Sequence, residues 1–160
     1  MEDIWNITAL VVSVLSVLLS LYALRQATTK NTSDMYLFFI SQYAKEDMKL
    51  ALRKLKDIKR GVYRLEQWES DMKNNLPKAF EYDEARRLVK YFYDTLAYMK
   101  LEKLIEARFV RLICLKKGAW LYLDTVEAME KFFDSVYDKK PYAVIRDVCE
   151  NLRKEGCCPP

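Results

Sequence analysis

Asp124, Glu127, Asp134 and Asp138 fall within one short stretch and share a broad face if that stretch is helical. Clustered carboxylates are the residue type that moves protons in general acid–base catalysis or holds a hard cation. The partners such chemistry needs are missing. The chain contains no histidine, which removes the usual general base, the usual zinc or iron ligand, and every Ser-His or Cys-His nucleophile pair. A di-iron helical bundle would need Glu-x-x-His motifs. No aspartate-rich calcium loop, phosphate-binding glycine loop, dinucleotide fingerprint or nucleophile elbow occurs. The four carboxylates therefore read as a solvated acidic face, one that could turn toward a basic helix elsewhere in the chain. No catalytic residue, metal, cofactor or small-molecule substrate is expected; an enzyme working through carboxylates and tyrosines ranks third among the functional readings.

Cysteine chemistry is equally thin. Cys114 and Cys149 stand in mostly apolar helical surroundings and read as buried, inert thiols. Cys157 and Cys158 follow Gly156 and precede two prolines, on what reads as a flexible tail over 156–160. No C-x-x-C spacing points to zinc or dithiol redox work, and the terminal prolines fit a prenylation signal poorly.

The second concentration of chemistry is positive charge. From Tyr43 to Arg64 there are eight basic and three acidic residues, a local charge of +5 against +4 for the whole chain, so the remainder sums to −1. Lys45, Lys49, Arg53, Lys56 and Arg60 are distributed over one side of an amphipathic helix, with Met48, Ala51, Leu52, Leu55, Ile58 and Val62 on the other. Held near a bilayer, such a face can meet anionic headgroups at about 1 kcal/mol per engaged side chain. The plainer reading, an ordinary solvated or internally paired face, is the preferred one. Nucleic acid is the least favoured partner, because the basic excess is confined to one helix.

What would hold that face near a bilayer is the opening segment. Ile4 to Leu24 carries twenty-one residues without a charge, about 31 Å as a helix against a hydrocarbon core of about 30 Å. Trp5 and Tyr22 stand near its ends as interfacial anchors. A cleaved leader would want a basic start and a small-x-small site, and this run has neither. Lysine and arginine appear only after it, so the positive-inside rule places the N-terminus outside and the rest in the cytoplasm, in a cell membrane. A reducing compartment suits four cysteines without a pairing plan. Within the run Asn6, Ala9, Ser13, Ser16, Ser20, Ala23 and Ala27 recur at spacings of three and four. Such a small-residue seam lets two membrane helices approach and predicts a homo-oligomer or pairing with another membrane protein. Alternatively, each serine simply bonds the carbonyl one turn back.

The frame around these residues is helical. The first glycine is Gly61 and the first proline Pro77, so nothing breaks a helix over the opening sixty residues. The expected organisation is an outer N-terminus at 1–3, an anchor at 4–24, a helical extension at 25–43 and a bundle of five or six helices at 44–155. After the basic helix, a short helix buries Val62, Leu65, Trp68 and Met72 and stops at Asn74, Asn75 and Pro77. A loop leads to a long helix, Asp83 to Ile105, with Leu88, Phe92, Leu96 and Met99 in its stripe. A further helix is capped by Gly118, another runs from about Ala119 to Tyr137 and is closed by Pro141, and a last one precedes the tail.

Taken in order, Arg25-Gln26-Ala27-Thr28, then Tyr43, Met48, Ala51 and Leu55 on one helix, the aromatic-rich "YFYDTLAYM" and Trp120 resemble a family of uncharacterised prokaryotic single-span, membrane-anchored helical proteins. The resemblance implies an all-α fold, a single-span topology and no site residues. The expected function is a membrane-tethered, non-enzymatic interaction or regulatory module associating through its span, with sensing of anionic lipid by helix 45–60 as the alternative.

Overall fold

The fold is that of a computed structural model describing the backbone of residues 2–133 and 137–157, without the side chains of 2–14, 24–25, 27–29 and 31–32. Among the described residues it is all-α: α1 Glu2–Ala44, α2 Glu46–Lys59, α3 Leu65–Lys73, α4 Pro77–Leu101, α5 Ala107–Cys114, α6 Lys117–Leu121, a π-helical segment Tyr122–Val126, α7 Glu127–Phe132 and α8 Lys139–Lys154. Two compact units emerge, Met1–Leu37 and Phe38–Pro160.

In the first unit the apolar side chains Leu15, Val17, Leu18, Leu19, Leu21 and Tyr22 are all exposed. No helix among the described residues is long and apolar enough to cross a membrane. About half of the expected span, the side chains of 4–14 and 24, lies outside those residues.

The second unit is built around α4. Val89, Tyr93, Leu96 and Ala97 on this helix are fully buried, because the period of 3.6 keeps positions three, four and seven apart on one face. Against it pack Ala51, Leu55 and Ile58 of α2, Trp68 of α3, Val110 and Ile113 of α5, and Tyr142 and Ile145 of α8. Phe39, near the end of α1, sets its ring edge-on to Phe92 at 5.4 Å. Trp68 donates its indole N–H to the Ala79 carbonyl at 3.2 Å, the partner a buried indole requires.

Helix α2 follows its sequence pattern and ends as expected. Gly61 takes φ 74°, and Val62 N–H returns to the Asp57 carbonyl at 3.0 Å, a left-handed stop that glycine adopts without steric cost. That turn swings Val62 outward, and it is 73% exposed instead of buried. Other expectations are corrected as well. Pro77 opens α4 instead of closing α3, since at the first helical position its missing N–H costs nothing. Helix α4 stops at Leu101, where Lys103 turns left-handed (φ 56°) without a glycine to announce it, and Leu88 lies on its exposed side. Gly118 sits inside α6 and caps nothing, and Pro141 lies in the first turn of α8. The expected helix from Ala119 onward is divided by the π segment, so among the described residues seven α-helices succeed α1.

Candidate functional site

The basic side of α2 supplies the site. With Met48, Ala51, Leu55 and Ile58 buried, the intervening positions must face outward, and Lys49, Arg53, Lys56 and Arg60 line a cleft of about 950 Å³. Lys45 does not join them; it borders a smaller groove of about 360 Å³ beside Phe38, Leu88 and Tyr91. Three cations unforeseen at this place complete the cleft: Lys59 from α2, Lys117 from α6 and Arg153 from α8. Among the described residues, seven basic side chains thus line it and no acidic one does. Lys49 reaches Glu46 at 3.4 Å and Lys59 reaches Asp124 at 2.6 Å. Arg53, Lys56, Arg60, Lys117 and Arg153 have no carboxylate within ion-pair distance among the described residues.

The floor is apolar and aromatic: Tyr43, Leu52, Trp120 and Leu121. Gly118 sets its depth. A Cβ there would lie 2.8 Å from the Tyr93 hydroxyl and 3.0 Å from the Tyr43 ring, so only glycine lets α6 approach so closely. Its N–H donates to the Tyr43 hydroxyl at 3.2 Å. Burial pushes the Tyr43 hydroxyl above the ordinary phenol value, and the Gly118 bond works against that shift. The indole N–H of Trp120 is buried without a hydrogen-bond partner among the described residues.

The carboxylates singled out in the sequence do not converge. Asp124 pairs with Lys59 and is the one described member that meets the basic helix. Glu127 is 6% exposed, which corrects its assignment to a solvated face: it accepts from the Tyr137 hydroxyl and from Arg146. Burial first, and then this bond, push the Tyr137 hydroxyl up to about 12. Asp138 accepts from the Tyr98 hydroxyl at 2.5 Å and from Lys140 N–H at 2.9 Å; these bonds hold its carboxyl below the usual range. Asp134 lies outside the described residues. Neither cleft is lined by the described members of this set, and among the described residues no three or more Cys, Asp or Glu side chains could hold a metal.

The polar network that does form went unforeseen. Arg86, buried on α4, bonds Asp83 at 2.7 Å and meets Glu130 of α7. Arg87 takes the other Asp83 oxygen at 2.7 Å, and Lys90 spans Asp94 at 2.8 Å and Glu130 at 3.7 Å. Tyr122 donates to Asp94 at 2.5 Å and stacks on Tyr142 with centroids 4.5 Å apart. Each charge in this cluster meets one of opposite sign, so the cluster ties α7 and the π segment to α4.

Cys114 and Cys149 are buried, as the sequence predicts, and Cys157 is exposed. The Cys114 thiol is pushed well up by its hydrogen bond to Cys149 and by burial. In the small-residue seam, Ser16, Ser20 and Ala23 are exposed, and the Ser20 hydroxyl donates to the Ser16 carbonyl at 2.8 Å, as a serine bonding its own helix would. The side chains of Asn6, Ala9, Ser13 and Ala27 lie outside the described residues.

Compared with protein-family models, with curated proteins and with solved structures, the chain matches none.

Proposed function

We propose that this chain is a non-enzymatic binding module tethered to a membrane by residues 4–24, with its helical bundle on the cytoplasmic side, and that its basic α2 face engages anionic lipid headgroups. The observation that carries the reading is the set of five cations around an open cleft that have no carboxylate partner among the described residues. Ordinary surface lysines and arginines cost little to leave solvated, but gathering five on converging helices is electrostatically unfavourable unless an anion joins them. The exposed apolar side chains from Leu15 to Tyr22 support the tether, because a bilayer would cover them. These two observations favour lipid engagement over the plainer solvated face.

Lysine footprinting of the full chain in nanodiscs tests it. Lys49, Lys56 and Lys117 are expected to react more slowly with an amine reagent in discs containing phosphatidylserine than in phosphatidylcholine discs. High salt should abolish the difference, since the Debye length falls to about 3 Å at 1 M. Equal reactivity in both discs would refute the reading. A second reading, self-association through the seam, is supported by the exposure of Ser16, Ser20 and Ala23. It predicts a detergent-solubilised oligomer that Ser13→Leu, Ser16→Leu and Ser20→Leu together convert to monomer.

A further inference from the structure

We infer that the cleft between α2, α6 and α8 accepts a single lipid molecule, with a phosphomonoester headgroup among the cations and part of an acyl chain on the aromatic floor. The inference rests on the membrane reading for its source of ligand and goes beyond it in one respect. A helix face that merely touches headgroups needs charge and no cavity. Here the charge surrounds a cleft of about 950 Å³, near the upper end of the roughly 300–1,000 Å³ typical of sites that enclose a small molecule.

Charge selects the headgroup. Arg53, Lys56, Arg60, Lys117 and Arg153 contribute five positive charges without carboxylate partners among the described residues. One carboxylate would leave most of them uncompensated, and a zwitterionic head would bring its own cation among them. A phosphomonoester offers up to two negative charges and three acceptor oxygens, and guanidinium groups such as those of Arg53 and Arg60 can grip it bidentately. The floor selects the rest of the ligand. Tyr43, Leu52, Trp120 and Leu121 present apolar and aromatic surface that a free sugar phosphate or inorganic phosphate would leave unused. An acyl chain removes it from water.

Two photoreactive phosphatidates test the assignment in phosphatidylcholine nanodiscs bearing the full chain, one with a diazirine near the headgroup and one with it in the acyl chain. The acyl-chain probe is expected to label peptides containing Leu52 or Trp120–Leu121. Labelling should fall about thirtyfold in Arg53→Gln/Arg60→Gln, at about 1 kcal/mol for each cation removed. A phosphatidylcholine carrying the same acyl diazirine should not label those peptides. If the headgroup probe labels α2 while the acyl probe labels only residues 4–24, the cleft inference is overturned and surface engagement stands. If neither probe labels α2, both fail. Equal floor labelling by the two acyl-chain probes, phosphatidate and phosphatidylcholine, overturns the headgroup assignment. Both substituted arginines are exposed and lack ion pairs among the described residues, so a loss of labelling accompanied by an unchanged circular dichroism spectrum reports binding and not unfolding.

Discussion

At the scale of single residues, two populations of charge behave differently. Arg86 is 7% exposed and stands between Asp83 and Glu130, which are each 2% exposed. Removing one partner of such a set leaves an uncompensated buried charge, so Arg86→Ala should cost about 3–5 kcal/mol, read as a shifted midpoint in urea unfolding. Arg53→Gln, at an exposed position with no ion-pair partner among the described residues, should change the unfolding free energy read from the same titration by no more than about 0.5 kcal/mol. The sequence does not separate these populations. Acidic and basic residues are rarely buried, so Glu127 and Glu130 default to a solvated face unless their partners on other helices are known. Trp68 was legible because a tryptophan among charged neighbours at helical spacing has few other places to go.

Among the elements, the π segment follows directly on Trp120 and Leu121 of the cleft floor. Tyr122, Leu123, Thr125 and Val126 are all buried, a density that one α-helical stripe cannot supply. An extra residue in a turn rotates the helix before it relative to the helix after it by about 100°, and such π bulges recur at functional sites. Deleting Asp124 should convert the segment to α-helix, rotate Trp120 off the floor and remove the partner of Lys59. The expected outcome is a lower melting temperature together with loss of lysine protection in anionic nanodiscs. A deletion that preserved the protection would show that the bulge does not set the lining. The run "AWLYLDTV" carried the only signal, apolar residues too closely spaced for a period of 3.6. Helix α2 was legible because its buried positions recur every three or four residues and Gly61 ends it. The α4 terminus was not, because a lysine, not a glycine, takes the left-handed conformation there.

For the whole molecule, the core is paved with phenols. Burial is the leading cause that raises the hydroxyls of Tyr63, Tyr82, Tyr93, Tyr122 and Tyr142 above their ordinary value near 10. A group whose folded-state pKa exceeds its unfolded value contributes stability that is fully present below the unfolded pKa and lost as pH rises above it. The protein should therefore be insensitive to these groups below about pH 10 and unfold cooperatively above it. Tyrosinate absorbance and far-UV circular dichroism recorded together check this. Tyrosinate absorbance that rises to completion, buried phenols included, with helicity intact would contradict it. The all-α class was legible from the scarcity of glycine and proline. The cleft was legible only in its α2 half, since Lys117 and Arg153 reach it through packing that no local pattern encodes.

The five cations of the cleft have a consequence for the empty protein itself. Mutual repulsion among them loads the folded state with electrostatic work that the unfolded chain, with its charges further apart, does not carry. Millimolar sulfate, too dilute to act by exclusion from the surface, should raise the melting temperature by screening and occupying the cleft. The opposite response is expected of a fold held together by surface ion pairs such as Lys54–Glu81. In low salt, Arg53→Gln/Arg60→Gln should melt above the natural chain and lose its response to sulfate. A substitution that disables the cleft would then make the protein more stable, the signature of a surface kept under tension for a ligand.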